Sequence, residues 1–405
     1  MESGLLTKNS PFISRDATTM HVILIGNYPL DGQESMERFA QMLEAGFQKA
    51  GVSTELWRPI PVFATGSGST EAGLRKWLGY IDKWLVFPLV LRWRLRRKAL
   101  AAPQVHFHVC DHSNAPYLGH LQRERTSITC HDVIAIRGGL GHADAHATPS
   151  RFGRKLQQWI FHHLSRAERL ATVSALTFRQ LTELVGNRPP AGTDWRTIPL
   201  SFNAEFRPLA AAERTARLQR AGLASEVPFV LHVGSGHPRK NRGLLLDMVH
   251  ALGNRWTGNI CYAGEAPGKE LLDRAEVLGL SDRVVAVVKP DHDTLVALYS
   301  ACEAFIFPSY SEGFGWPVIE AQACGAPVIA STVEPMPEVS GGAALHADPT
   351  DAPAFAAALL RLQDPATRAA VVQRGFDNCR RFESGYMVRS YLNLYQRLPA
   401  SSPAA

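Results

Sequence analysis

Long apolar runs are missing from this 405-residue chain. The longest beside charged residues, Trp84 to Leu91, holds eight residues, against the ~20 that a helix needs to cross a bilayer, so no spanning segment is expected. Cysteine is scarce: Cys110, Cys130, Cys261, Cys302, Cys324 and Cys379 are the whole set, and none falls in a Cys-x-x-Cys pair. Most lie inside apolar stretches such as Ile128-Thr129-Cys130 and Ala323-Cys324-Gly325, as buried free thiols do in a reducing compartment. That setting argues against a disulfide frame or a thiolate zinc site. The opening stretch, Met1 to Met20, is polar and has no apolar h-region, so no secretory signal is expected and the expected location is cytoplasmic. No glycine period points to a fibre and no short repeat to a solenoid, while 20% charged and 9% aromatic residues exclude wholesale disorder. The net charge of +6 suits anionic ligands or a membrane surface. With one local exception its basic residues are spread along the chain, which gives no reason to expect nucleic acid.

What is present is an alternation of short β-branched runs with longer amphipathic stretches. Val22 to Gly26 reads as a first buried strand and Met36 to Ala50 as the helix after it, with further strands at Ser127 to Cys130 and Leu170 to Val173. A second series runs through Phe229 to Gly234, Asn259 to Ala263, Val284 to Val288, Ala304 to Phe307 and Val328 to Ala330. Strands of this kind alternating with helices predict parallel sheets built from βαβ units. Two series joined near Pro199 to Pro208 predict two doubly wound domains. Thr65 to Thr70, with its glycines and serines, reads as a flexible loop, and Pro399 to Ala405 as a disordered tail.

Three segments carry chemistry. In Phe307-Pro308-Ser309-Tyr310-Ser311-Glu312-Gly313-Phe314-Gly315-Trp316-Pro317-Val318-Ile319-Glu320 a buried strand ends in a glycine-rich turn, and Pro317 is placed to open a helix. Gly313 and Gly315 let the backbone approach a ligand, and the free N–H groups of the helix start favour an anion. Glu312 in the turn and Glu320, expected in the first helical turn, would face one pocket at the carboxyl edge of a sheet. In Val233-Gly234-Ser235-Gly236-His237-Pro238-Arg239-Lys240-Asn241 a second strand-to-helix loop lacks the third glycine of a dinucleotide fingerprint but ends in two cations suited to a diphosphate. In Ser127-Ile128-Thr129-Cys130-His131-Asp132, His131 stands just past a strand end, where open α/β sheets contact ligands. Taken singly, each of these admits a structural reading: a tight turn, a solvated basic loop, a core histidine. His106, His108, Asp111 and His112 suggest a metal at first sight, but no ligand set with a helix-borne pair appears and no metal is assigned. Asp291-His292-Asp293 reads as a helix cap.

The glutamates of Ser311 to Glu320, with seven residues between them, resemble the signature of the family 4 retaining glycosyltransferases, and the likeness continues through Ala321 to Ala330. The Pro-Arg-Lys-Asn loop, Asp282-Arg283-Val284, His131-Asp132, Ala171 to Ser174 with Thr177, and Phe206-Arg207-Pro208 also fit. The resemblance implies the GT-B architecture: an α/β chain of two Rossmann-like domains across a cleft. Residues 20–203 would be the acceptor domain and 204–383 the donor domain, with Ser384 to Leu398 as a C-terminal helix returning to the first. It implies Lys240 on the donor diphosphate, Glu312 and the Gly313-Phe314-Gly315 backbone on sugar and phosphates, Glu320 on the ribose, and His131 near the reacting carbon. Gly32, in Asp31 to Met36, matches the first-domain glycine loop. Many members carry Arg directly after the strand glycine, where this chain has Ser235, and Arg239 stands nearby to supply that charge. The implied partners are a nucleotide sugar, GDP-mannose or UDP-glucose, and a lipid-linked or polysaccharide acceptor, with no cofactor. Bacterial mannosyltransferases, which the Pro-Arg-Lys-Asn form resembles, favour GDP-mannose.

The chemistry is consistent with that implication. Breaking a sugar–diphosphate bond builds negative charge on the leaving phosphate, which Lys240, Arg239 and helix-start N–H groups can stabilise without a metal. No residue stands out as a nucleophile, so retention is expected through front-face attack. A nucleotide-sugar epimerase on the same architecture and a non-catalytic sugar-nucleotide-binding protein are the alternatives. The local basic exception is Lys76 to Lys98, where Trp77, Tyr80, Trp84 and Trp93 accompany the apolar run and the cluster Arg92, Arg94, Arg96, Arg97 and Lys98. It reads either as a patch for an anionic membrane surface on the inner face, or as a helix whose Trp and Leu residues pack inward.

Overall fold

The structure is a computed structural model, and it describes residues 20–65, 70, 73–142, 149–223 and 227–396. Most of the Thr65 to Thr70 loop, the Pro399 to Ala405 tail and nearly all of the polar opening stretch lie outside the described residues.

The chain divides into two units. One takes the described residues within Met1–Thr172, Gln180–Ile198 and Ser384–Ala405, the other those within Val173–Arg179 and Pro199–Glu383. The first unit is built on strands β1 (His21–Ile25), β2 (Ser53–Trp57), β3 (Val105–Val109), β4 (Thr126–Cys130), β5 (Arg169–Thr172) and β6 (Asp194–Thr197), in the order β2-β1-β3-β4-β5-β6. The second holds β7 (Phe229–Gly234), β8 (Asn259–Gly264), β9 (Val284–Val288), β10 (Ala304–Phe307), β11 (Val328–Ser331) and β12 (Leu345–Ala347), in the order β12-β11-β10-β7-β8-β9. Every pairing is parallel. Helices cover both sheets, so the inner strands are buried on each face and read as unbroken apolar runs such as Val22-Ile23-Leu24-Ile25. The expected α/β class with two doubly wound sheets is the fold observed.

In each sheet the direction of strand succession reverses once. The reversal falls between β1 and β3 in the first unit and between β7 and β10 in the second. Loops leaving the carboxyl ends of the two strands at such a switch diverge and leave a crevice for a ligand. The loops after β7 and β10 are the two glycine-rich segments of the sequence, which the topology therefore makes neighbours.

The helix Glu34–Lys49 buries Phe39, Leu43 and Phe47 at four-residue spacing against the first sheet. The C-terminal helix Ser384–Gln396 packs on that helix and on β4 and β5, as the expected return to the first unit requires. Its Tyr391 hydroxyl lies 2.8 Å from Thr129 Oγ1. Thr129 and Ser127 in turn bind the ring of His108 at 2.9 and 2.7 Å, and the His106 ring stacks on Tyr395 with centroids 4.2 Å apart. These histidines thus serve the core.

The Lys76 to Lys98 segment forms the helices Gly73–Ile81 and Phe87–Arg94, joined by a wide turn over Asp82–Val86. Gly79, Asp82, Phe87 and Leu91 face inward; the Asp82 carboxylate accepts from Tyr28 Oη and from the Phe63 and Ala64 N–H groups at 2.8, 2.9 and 3.1 Å. Leu74, Trp77, Leu85, Leu89 and Trp93 recur every three to four residues, or twice that, on the outer side, each at least half exposed. The inward-packing alternative therefore holds for only one face of these helices. Phe152 and Trp159, from the helix Arg151–Leu164, adjoin the same region, with the Phe152 ring 4.8 Å from that of Trp77.

Candidate functional site

At the switch point of the second sheet, β7 ends on Gly234 with φ +153°, a conformation that strains any residue carrying a side chain. The chain then passes Ser235, which is half-buried, and closes a tight turn over Pro238–Lys240, ending on Asn241 at φ 52°. The Asn241 amide donates to the Pro308 and Pro349 carbonyls at 3.1 and 2.7 Å, and the Tyr310 N–H donates to the Arg239 carbonyl at 2.8 Å. These bonds pin the loop after β7 to the loop after β10.

Pinning the loops brings three expected residues together. Glu312 is buried, with its carboxylate 2.6 Å from Lys240 Nζ and 2.8 Å from an Arg239 guanidinium nitrogen, which also donates to the Ser311 carbonyl at 2.8 Å. Burial pushes the Glu312 carboxyl up, but the charges of Lys240 and then Arg239 outweigh that and hold it below the usual range. Lys240 Nζ also lies 5.1 Å above the Phe307 ring centre. A carboxylate thus occupies two cations at the place where a diphosphate is expected.

Gly315 has φ +101°, and a Cβ there would stand 2.7 Å from Met336 Cε, so the turn into the next helix requires glycine. That helix spans Trp316–Ala323 with Gly315 as its cap, which places Pro317 second and Glu320 fifth. Glu320 is therefore past the first turn where it was expected. It is buried deeper along the helix, accepting from the Tyr299 hydroxyl at 2.9 Å. The Phe314 side chain is buried edge-on against Phe382, with centroids 5.7 Å apart, so at this position only the backbone can meet a ligand.

The remaining expected residues belong to the first unit. His131 is buried just past β4; its Nε2–H donates to the Cys110 carbonyl at 2.8 Å and its ring meets Phe39 edge-on at 4.6 Å. Burial lowers its pKa, opposed by the nearby Asp111 charge. Gly32 ends the turn Pro29–Asp31 at φ 63°, with open space where a Cβ would point. The loops after β1 and β3 meet at this sheet's switch point, where Asn27 donates to Asp111 at 2.5 Å. Asp31 binds Lys83 Nζ at 2.7 Å and Thr70 Oγ1 at 2.6 Å, tying the glycine loop to the wide turn described above. Asp291 caps the helix His292–Ala301, accepting from the Thr294 N–H at 2.8 Å, as its sequence suggests.

Several contributors were not foreseen in these roles. The Ser174 hydroxyl donates to the Gly313 carbonyl at 2.7 Å, with Thr177 Oγ1 at 3.5 Å from the same oxygen. The Glu265 carboxylate, from the loop after β8, accepts from the Gly236 N–H at 2.7 Å, so a second carboxylate meets the loop that carries Lys240. His232 lies buried beneath the same loop. Ser174 and Thr177 carry a weak signal, as part of the family-like string Ala171 to Ser174 with Thr177; Glu265 and His232 carry none.

Residues 227–364 match the family model described as glycosyl transferases group 1. O-antigen chain mannosyltransferase B of Escherichia coli is 30% identical over 386 residues, covering 92% of this chain and 96% of that protein. Among solved structures, sucrose-phosphate synthase from Thermosynechococcus elongatus superposes with a TM-score of 0.72 at 22% identity, over 95% of this chain and 100% of that one. Anabaena HepE, solved with UDP and glucose, gives 0.68 at 15% identity, over 92% and 98%. The two structural likenesses concern the fold.

Proposed function

We propose that this chain, which belongs to the group 1 glycosyl transferases, moves mannose from GDP-mannose to a lipid-linked or polysaccharide acceptor with retention of configuration. That it is a hexosyltransferase follows from its family; donor, acceptor and stereochemistry are the proposal. The observation that carries it is the convergence of Lys240 and Arg239 on Glu312 at the second unit's switch point. A donor diphosphate displaces Glu312 from the two cations, and the freed carboxylate turns to the sugar hydroxyls. Charge building on the leaving phosphate is then met by Lys240, Arg239 and the N–H groups ahead of Val318, and no metal is needed. Front-face attack gives retention, with the departing phosphate taking the acceptor proton. His131 contacts the transferred sugar and Glu320 the ribose. Mannose is favoured by the likeness to an O-antigen chain mannosyltransferase.

An acceptor carried on a membrane lipid requires the protein to reach that membrane. The outer stripe Leu74, Trp77, Leu85, Leu89 and Trp93, beside exposed Arg92, Arg96, Arg97 and Lys98, is the surface proposed for anionic lipid.

A thermal-shift series with GDP, UDP and ADP tests the donor, because a ligand that binds only the folded state raises its apparent stability by about 2.7 kcal/mol at 100 times Kd. GDP is expected to give the largest shift, unchanged by EDTA. A larger shift with UDP would replace GDP-mannose by UDP-glucose; no shift with any of them would remove the nucleotide-sugar reading.

A further inference from the structure

His232 stands inside β7 with no exposed surface, in a strand otherwise made of apolar residues and a terminal glycine. Its Nδ1 lies 3.1 Å from the Ile306 carbonyl oxygen. A carbonyl only accepts, so Nδ1 carries the proton and the neutral ring presents Nε2 as a lone pair. That Nε2 is buried and has no hydrogen-bond partner among the described residues. Buried acceptors are nearly always satisfied, so an open one marks a place where a donor belongs.

The surroundings identify the donor. The His232 ring stacks on Phe307 with centroids 6.2 Å apart, and the Lys240 ammonium lies over that same Phe307 ring. A Cβ on Gly234 would sit 3.6 Å from His232 Nε2 and 3.8 Å from Lys240 Cε. The lone pair and the lysine stem therefore border one small space, kept open by a glycine. Lys240 Nζ itself is drawn to Glu312, 2.6 Å away. Burial, reinforced by the charges of Lys240 and Arg242, keeps the imidazole neutral and its lone pair available.

We propose that His232 is a positioning residue for Lys240: when a diphosphate draws the ammonium off Glu312, His232 Nε2 accepts a hydrogen bond from it and fixes where the charge meets the phosphates. This rests on the reading that Lys240 binds the donor diphosphate. The alternative is that His232 only fills the core and binds Ile306.

Calorimetric titration of GDP, with UDP in parallel, into His232→Phe, His232→Gln, Lys240→Ala and the double variant His232→Phe/Lys240→Ala separates the two, with steady-state KM and kcat measured alongside. His232→Phe keeps the ring and loses the acceptor; it is expected to weaken diphosphate binding about tenfold, the scale of a hydrogen bond to a charged group. His232→Gln, whose amide oxygen reaches close to the Nε2 position, is expected to restore most of that affinity. In the Lys240→Ala background the His232 substitution is expected to add nothing, because it acts through the lysine. If the two losses add in full, or if Gln binds no better than Phe, the inference is overturned while the donor-site reading stands. If Lys240→Ala alone leaves diphosphate binding unchanged, the donor-site reading fails and takes this inference with it. Should His232→Phe not fold, His232→Gln against His232→Asn makes the same comparison, because the Asn oxygen falls near Nδ1 and leaves the Nε2 position empty.

Discussion

The switch point of the second unit and the core under the C-terminal helix of the first handle polarity in opposite ways. The second gathers full charges at its switch point, where Arg239 and Lys240 converge on a buried Glu312. In the first, the polar groups under the C-terminal helix are neutral, with His106 and His108 bound to Ser127 and Thr129 and packed on Tyr391 and Tyr395. The cations Arg92, Arg96, Arg97 and Lys98 stand outside, next to an apolar stripe. A buried charge is tolerated only when paired, as Glu312 is, or well hydrogen-bonded, as Asp82 is. The neutral buried network instead secures the C-terminal helix. The difference separates a cluster of paired charges at a sheet's switch point from a neutral network that holds a helix.

The largest effect expected from breaking this contrast lies in the second unit. Lys240→Ala and Glu312→Gln should each lower turnover by ~100-fold or more, the scale of losing an electrostatic contact to a transition state. Circular dichroism should show both folded. Near-normal kcat in either variant would remove that residue from the chemistry.

A smaller effect concerns pH. Burial, together with the neighbouring His131 charge, brings His108 down to about 3, against an ordinary value near 6.5. Below pH ~6.5 the unfolded chain takes up a proton that the native ring refuses, so stability is complete above that pH and falls as pH drops toward 3. The loss is about 2 kcal/mol at pH 5 from this residue alone. His232, also brought to about 3, adds a loss of the same sign, whereas His112, raised by Asp111 in spite of its burial, opposes it. Urea unfolding at pH 7 and pH 5 checks this. His108→Gln should flatten the dependence, and an unchanged slope in that variant would show that His108 is not its source.

The smallest effect is at the surface. The protein should co-sediment with phosphatidylserine-rich vesicles at low salt and less so at high salt, with each basic residue near the membrane worth about 1 kcal/mol. Arg94 stacks on Trp57 and Arg97 lies 3.6 Å from Glu55, so charge reversal is better placed at Arg92, Arg96 and Lys98. That triple variant should no longer bind vesicles while keeping its affinity for GDP. A wild-type protein that ignores anionic vesicles at low salt would restrict the contrast to the interior.

How much of this was legible in the sequence depends on position in the sheet. Inner strands such as β7 and β10 are covered on both faces and appear as apolar runs. Three of the four edge strands, β2, β6 and β12, read Ser-Thr-Glu-Leu-Trp, Asp-Trp-Arg-Thr and Leu-His-Ala; they are short or polar because one side lacks a partner strand, and periodicity alone does not reveal them, whereas the fourth, β9, is Val-Val-Ala-Val-Val and was legible. Glu312 and Lys240 were legible because glycine-rich turns after apolar strands mark the carboxyl edge of a parallel sheet. Their mutual contact was not, because it joins loops more than seventy residues apart and follows from the reversal of strand order. His232 and Glu265 escaped notice for the same reason: what gives them meaning is a neighbour supplied by another strand.

Transfer from GDP-mannose in the presence of EDTA, with the anomeric configuration of the new linkage read by proton NMR, tests most directly the claim that paired cations alone support a retaining transfer. An α-mannosyl product from the α-configured donor, lost in Lys240→Ala, is the expected result. A β-linked product, a requirement for added metal, or conversion of the sugar nucleotide to an epimer without transfer would contradict it.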